Sequence, residues 1–438
     1  MSPLAYVETY GCQMNVADTE IVLGLLRGAG YERTLDPAAA DVILINTCAV
    51  REKAVERVWG RASTLATHKA RRPHVVLGIT GCMAEHLRGQ VRARAPFVDL
   101  VVGPDSYRRL LAHIEEARAG AKIDDTTLDP CETYQGLDPV RDPTGTVVGH
   151  IAIQRGCDRF CSFCVVPYTR GRERGTAPEE VLRQARALAA AGGKEVQLLG
   201  QTVTSYRHGD VDFASLLRAL ADIDGLERIR FISPYPLGFS QDVVAAMAGS
   251  SKICKHVHLP LQSASDTVLA RMGRGYSFGQ YRDLVRALRA ALPGVAVTTD
   301  LLVGFCGESE EEFTEILHAL QELRFDNAFT FAYSERPDTL AARTMADDVP
   351  ADVKQRRLAQ VIDLQRQITG EIHAAQIGRR ERVLLEAPSR RSPDELLGRT
   401  DTFRSVIVPA GPRGKLGALV DVTIERANPA TLFGSVVT

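Results

Sequence analysis

Three cysteines fall within one short segment, GCDRFCSFCVVP, where Cys157, Cys161 and Cys164 read C-x3-C-x2-C. The chain around them must carry three thiolates to one point. Three is one short of the four protein ligands that a structural zinc or an ordinary iron–sulfur cluster takes. A zinc site would need one more Cys, His or carboxylate. His150 and Asp158 are near but stand at no familiar zinc spacing. A [4Fe–4S] cube held by three cysteines instead leaves one iron open to a substrate or cofactor. Three close thiols with no task would be an oxidation liability, so the pattern predicts a metal or cluster role.

A second triad is spread along the first hundred residues. Cys12, Cys48 and Cys82 each close an apolar run (TYGC, INTC, ITGC) that reads as a buried strand. Their spacing matches one strand–helix–strand repeat per step. Parallel strands deliver their C-terminal ends to one rim, so the three thiols can converge there. The pattern alone leaves this triad evenly balanced between a site and three small buried hydrophobes. Cys131, Cys254 and Cys306 have no such partners and are expected to be buried packing residues.

The alternation of apolar runs with helix-spaced stretches organises the rest. Residues 1–118 predict a parallel α/β domain, and 119–146, rich in Asp, Thr, Pro and Gly, a linker. Residues 147–375 hold six strand candidates: HIAIQ, EVQLLG, RIRFIS, HVHLPL, VAVTTDLLVGF and NAFTFAY. Six strand–helix units are fewer than the eight of a closed barrel, so a partial (β/α)6 TIM barrel is expected, open on one side. The helix in TAPEEVLRQARALAAAGG is expected to take Thr176 as N-cap and to stop at Gly192. Residues 376–438 change to short alternating segments, which predict a small antiparallel β-barrel. Net charge is −1, so a nucleic-acid partner would have to be met by local patches. The N-terminus lacks a signal-peptide pattern and no apolar run reaches bilayer length, so a cytoplasmic protein without a membrane partner is expected.

With these motifs in hand, the C-x3-C-x2-C segment and its CSFC aromatic resemble the signature of the radical S-adenosylmethionine (SAM) superfamily. The resemblance then covers nearly the whole chain. TYGCQMN, INTCAVREKA, GCMAE and DLVVGP look like the N-terminal domain of the methylthiotransferases of that superfamily. RGCDRFCSFCVVPYTRGRERG, LLGQTVTSY, HLPLQSAS and TTDLLVGFCGESEEEF look like their catalytic domain, and the tail from Glu381 resembles the RNA-binding TRAM barrel. GCQMN, NTCAVRE and CVVPYTRGRERG are similar to the branch that modifies isopentenyl-adenosine in tRNA. Thr202 and Thr204 depart from that branch's asparagines, Cys306 from a proline, and Asp338 and Leu340 from a glycine and a proline.

The resemblance implies two [4Fe–4S] clusters, one on Cys157, Cys161 and Cys164 and an auxiliary one on Cys12, Cys48 and Cys82. It also implies SAM as methyl donor and radical source, and methylthiolation at C2 of N6-isopentenyl-adenosine beside the tRNA anticodon. A flavodoxin- or ferredoxin-type electron donor and a monomeric state are expected with it. Sister substrates are a ribosomal-protein aspartate and threonylcarbamoyl-adenosine; a reading of another class is a zinc-stabilised RNA-binding protein without catalysis. Strand C-termini face the site in such barrels, which singles out Gly200, Gln201, Gln262, Ser263, Gly304 and Gly307 as SAM contacts, with Phe163 near the adenine. RNA binding would draw on the basic stretches 51–72 and 155–174 and on the tail, where Arg399 and Arg404 flank Phe403.

Overall fold

The computed structural model describes residues 2–49, 52–141, 146–412 and 414–437. Its first unit is a six-stranded, all-parallel sheet in the order β2-β1-β3-β4-β5-β6. The strands are β1 (Leu4–Tyr10), β2 (Glu32–Arg33), β3 (Val42–Thr47), β4 (Val76–Thr80), β5 (Leu100–Val102) and β6 (Ile123–Asp125). The central strand β3, VILINT, is buried along its whole length, as a parallel strand covered on both faces must be. Alternate residues serve the two faces. Ile43 and Ile45 pack with Val58, Trp59, Ala62 and Leu65 of α2 (Glu52–Arg71). Val42 and Leu44 pack with Ile21, Val22 and Leu26 of α1 (Gln13–Gly28).

The second unit is the partial barrel. All six sequence-predicted strands form: β7 (Val148–Ala152), then Glu195–Leu199, Arg228–Phe231, His256–His258, Ala296–Val303 and Asn327–Ala332. They pair in parallel as two runs of three, joined by a parallel bridge between Ile229 and Ile253. The ring stays open between its first and last strands. On the first side α1 enters, with Met14 and Ala17 packed on Ala152, Leu199 and Ile232. The last strand is flanked by the long helix Ala351–Ala374. The helix Pro178–Ala190 begins one residue later than expected: Ala177 is its N-cap, and the Thr176 hydroxyl donates instead to the Ala152 carbonyl (3.0 Å).

The third unit is a closed five-stranded barrel of Arg380–Pro388, Glu395–Thr400, Ser405–Pro409, Leu419–Ala427 and Leu432–Val436. It is antiparallel save for one parallel pair, Ser405–Pro409 with Leu432–Val436. The barrel caps the N-terminal mouth of the partial barrel through backbone carbonyls. Arg228 donates to the carbonyls of Arg399 (2.6 Å) and Arg382 (2.5 Å), and Arg230 to those of Thr400 and Asp401. Phe403 stacks on His256 with centroids 5.0 Å apart and is faced by the guanidinium groups of Arg230 and Arg399. Arg404 pairs with Asp326. Phe403 and Arg404, expected with Arg399 to meet RNA, make contacts across this seam, while the Arg399 side chain pairs with Glu386 of its own barrel (3.2 Å).

The stretch expected to be a linker is structural. It supplies β6 and the buried Tyr134, whose hydroxyl donates to the Pro104 carbonyl (2.8 Å) and to Asp18 (3.2 Å). Three arginines of the basic stretch 155–174, Arg155, Arg170 and Arg174, are likewise turned inward, while Arg172 stays exposed. Arg155 is fully buried against Asp105 (2.7 Å) with its guanidinium 3.5 Å from the Tyr134 ring centroid. Arg174 holds the other oxygen of Asp105 (2.9 Å). In the stretch 51–72, Arg61, Lys69 and Arg72 are committed to Glu8, Asp99 and Asp41, while Arg51 and the Lys53 side chain lie outside the described residues. Removing one partner of a buried ion pair leaves the other charge uncompensated. Asp105→Ala should therefore cost about 3–5 kcal/mol of stability, read as a lower urea midpoint.

Candidate active site

The first cysteine group sits in the loop after β7. Gly156 takes φ +75, and a side chain there would strike the Arg172 carbonyl at 2.0 Å, so only glycine lets the two arms of the loop close. Cys157 N–H then donates to the Gly171 carbonyl (3.1 Å), and Ser162 is pinned on both sides by Met272 and Ala341. Two donors address the sulfurs: the Arg159 amide at Cys157 Sγ (3.5 Å) and Arg274 Nη1 at Cys161 Sγ (3.5 Å). Burial pushes the Cys157 thiol up to about 11 and Cys164 up to about 12, each raised further by the charge of Cys161. This donor set resists ionising alone and suits a partner that brings its own positive charge, as cluster iron does.

The second group forms at the rim of the N-terminal sheet, where β1, β3 and β4 end. Gly11 is held at φ +132, where an added Cβ would lie 2.5 Å from Cys48 Cβ and 2.6 Å from Asn15 Oδ1. Its bareness lets the Cys12 and Cys48 turns touch. Cys12 opens α1; its amide and thiol both donate to Asn15 Oδ1 (3.4 Å each). Asn15 is itself anchored by Asn46 (3.2 Å), the buried polar residue at the end of β3. The Cys48 hydrogen bond, then the charge of Arg170 and the first amides of α1, bring the Cys12 thiol down to about 6 despite desolvation. Burial pushes Cys82 the other way, with Arg170 Nε donating to its sulfur at 3.1 Å.

The two groups belong to one constellation. Cys164 leads directly into the short helix α6 (Val166–Arg170). Val165 packs on Ala49 and Cys82 of the N-terminal unit, and Arg170, at the helix end, reaches Cys82 and Asp18. Neither Arg170 nor Arg274 stood out in the sequence, because nothing in an arginine's neighbours along the chain says which cysteine it will meet. Among the described residues no three His, Cys, Asp or Glu side chains gather tightly enough to hold a single metal ion; a cube gives each cysteine its own iron.

The expected SAM contacts divide. Gln201 has a buried carbonyl oxygen without a protein partner, while its amide donates to Gln154 Oε1 (3.0 Å) and Gly200 backs onto the same oxygen. Gln262, at φ +73, bridges Leu301, and Ser263 is fully buried beside it. These four remain at the strand ends. Gly304 and Gly307 also follow a strand, and there their amides donate to Glu308 (2.8 Å) and Asp348 (2.7 Å), with the Lys354 side chain beside Gly304. Phe163 packs edge-on against Phe305 in a small apolar cluster. Of the lone cysteines, Cys254 and Cys306 are buried as expected, whereas Cys131 is exposed.

The family departures have local accounts. Thr202 donates to Glu173 (2.6 Å) and accepts from Gln154, and Thr204 accepts from the Tyr235 amide (3.1 Å). Asp338, at the position where the resemblance expects a glycine, holds a left-handed φ of +68, a conformation that Asp tolerates better than most residues. Leu340 fills the first position of the helix Leu340–Thr344, behind the N-cap Thr339, where proline is favoured but not required.

Residues 4–103 match the uncharacterized protein family UPF0004, residues 151–320 the radical SAM superfamily, and residues 374–437 the TRAM domain. The chain is 45% identical, over 98% of its length and 96% of the relative's, to a tRNA-2-methylthio-N6-dimethylallyladenosine synthase of Chlorobium luteolum. It is 43% identical, over 99% and 94%, to the protein of that name from Porphyromonas gingivalis. Among solved structures, TsrM of Kitasatospora setae, a radical S-adenosylmethionine methyltransferase, shares the fold with a TM-score of 0.60 at 17% identity, covering 78% of this chain and 77% of that one.

The opposed thiol shifts are measurable on the iron-free chain. Near neutral pH, iodoacetamide should alkylate Cys12, and its rate should fall as pH drops through about 6, where the thiolate is protonated. Cys157 and Cys164 should stay unlabelled until the pH approaches about 11 and about 12. Peptide mass spectrometry resolves the sites.

Proposed function

The chain belongs to the tRNA-2-methylthio-N6-dimethylallyladenosine synthase family, and we infer that it adds a methylthio group to C2 of N6-isopentenyl-adenosine next to the tRNA anticodon. The observation that carries this reading is the near full-length relationship, joined to two separate three-thiol groups in one constellation. It sets aside the ribosomal-protein aspartate and threonylcarbamoyl-adenosine substrates and the non-catalytic zinc reading. No helix among the described residues is long and apolar enough to cross a membrane. A flavodoxin- or ferredoxin-type electron donor, a monomeric state and a cytoplasmic setting complete the proposal.

In this reading Cys157, Cys161 and Cys164 hold one [4Fe–4S] cluster and Cys12, Cys48 and Cys82 the other. With SAM, the clusters supply the one-electron and sulfur-transfer chemistry that no side chain can perform. The protein's part is to bind, orient and shield. The unpartnered Gln201 oxygen and the Gln262–Ser263 strand end offer SAM its polar contacts, flanked by Gly200. Arg274 and the Arg159 amide hold the sulfurs of the first group in place, as hydrogen bonds to cluster sulfurs do. The methionine and alanine of α1, Met14 and Ala17, close the side of the barrel nearest the N-terminal sheet and exclude water there. That leaves the edge strand Asn327–Ala332, with its half-exposed Phe329, as the side open to a nucleotide.

Expression in a bacterium that makes isopentenyl-adenosine but lacks its own enzyme of this kind should yield the 2-methylthio nucleoside in digested tRNA, seen by mass spectrometry. Cys161→Ala should abolish both the product and SAM cleavage. Cys48→Ala should retain uncoupled SAM cleavage and lose the product. Wild-type thiomethylation by Cys48→Ala would overturn the assignment of the second triad.

A further inference from the structure

Arg170 donates a hydrogen bond to a sulfur of the second triad from outside the N-terminal unit. It is 2% exposed, and its counter-ion Asp18 is 1% exposed. Its planar guanidinium is divided between two acceptors on different elements. Nε donates to Cys82 Sγ at 3.1 Å, while Nη1 and Nη2 donate to Asp18 at 3.2 and 2.5 Å. Tyr134 adds a third hydrogen bond to Asp18 (3.2 Å), and Arg174 Nη2 donates to the Arg170 carbonyl (2.7 Å). Every group in this set is fixed by another, so the charge beside Cys82 cannot be reoriented or screened by solvent. A lysine could satisfy a carboxylate, but only the fork of an arginine reaches a carboxylate and a sulfur at once.

We propose that Arg170 is a positioning residue that sets the reduction potential of the auxiliary cluster on Cys12, Cys48 and Cys82, with Asp18 as the opposing charge that limits its effect. This rests on the cluster assignment made above. Reduction adds one negative charge to a cluster. A fixed cation hydrogen-bonded to a ligand sulfur stabilises that charge and raises the potential, and a fixed anion lowers it. Arg170 and Asp18 therefore act in opposite directions on the same group. A role confined to holding the two units together would give both substitutions the same kind of effect, because each breaks the same ion pair.

The test is a potentiometric titration with dithionite, followed by electron paramagnetic resonance, on the full chain reconstituted with iron and sulfide. A C157A/C161A/C164A background leaves the second triad as the sole source of signal. Arg170→Met should move the midpoint to a more negative value and Asp18→Asn to a more positive one. Arg170→Lys, which keeps the charge but cannot reach Asp18 and the sulfur at once, should recover only part of the loss. The double variant R170M/D18N, which buries no unpaired charge, should lie between the single variants. An unchanged midpoint in Arg170→Met, or shifts of the same sign in both single variants, would overturn the proposal. Should Arg170→Met fail to fold, Asp18→Asn decides alone: a positive shift supports the proposal and no shift overturns it. Absence of bound iron in the cysteine-substituted background would instead defeat the cluster assignment itself, and the proposal with it.

Discussion

Two buried carboxylates, Asp18 and Asp105, decide how the first two units of this protein meet. Each comes from the N-terminal unit and each takes arginines from the segment that flanks the first cysteine group: Arg170 at Asp18, Arg155 and Arg174 at Asp105. Burying charge is costly unless it is paired and hydrogen-bonded, and the cost of a wrong arrangement is large. Such pairs are weak evidence of extra stability. Their weight lies in geometry, because a slipped interface would strand several charges out of water together. That constraint is what brings α6 against Cys82, and so what makes two distant cysteine groups neighbours.

Much of this was legible in the sequence, and the part that was not has a common cause. The strands could be read because burial on both faces writes a continuous apolar run, and the six runs of the catalytic unit all formed where expected. The strand-end cysteines could be read because parallel strands share a rim. The arginines could not. A run such as RGCDRFCSFCVVPYTRGRERG reads as a charged surface when only its own residues are counted, yet Arg155, Arg170 and Arg174 are buried by carboxylates far away along the chain. Phe403 with its flanking arginines shows the same limit: an aromatic between cations suits a stacked base and an interdomain seam equally, and nothing in its neighbours along the chain announces the contact with His256. The Asp/Thr/Pro-rich stretch looked like a linker because its few anchoring residues, β6 and Tyr134, are diluted among turn formers.

The glycines divide along similar lines. Gly11 and Gly156 are required by close approach of backbone next to a cysteine, and each stands immediately before one. Gly304 and Gly307 occupy an equivalent place after a strand but are closed off by Lys354, Glu308 and Asp348. Position on a strand end therefore nominates a glycine for ligand contact without deciding it. What differs is whether a nearby carboxylate already accepts from the amide, as Glu308 and Asp348 do.

The two triads also differ in the environment their thiols have been given, and the difference runs with their separate tasks. Cys157 and Cys164 are raised by burial, in a loop whose donors reach single sulfurs. A dry setting of this kind strengthens every electrostatic interaction within it, which in the proposed reading suits a centre that cleaves a bound cofactor without losing its products to water. At the other rim a cysteine opens a long helix, a second thiol donates to it, and a buried guanidinium lies on the third. That setting stabilises negative charge on the Cys12 sulfur, while burial still raises Cys82; in the proposed reading this is the rim that holds the transferable sulfur. Both rims place a buried guanidinium on one sulfur, Arg170 at Cys82 and Arg274 at Cys161, and differ at Cys12, the thiol that is brought down; the short helix Val166–Arg170, which begins beside Cys164 and ends in Arg170, is the element that ties the two rims together.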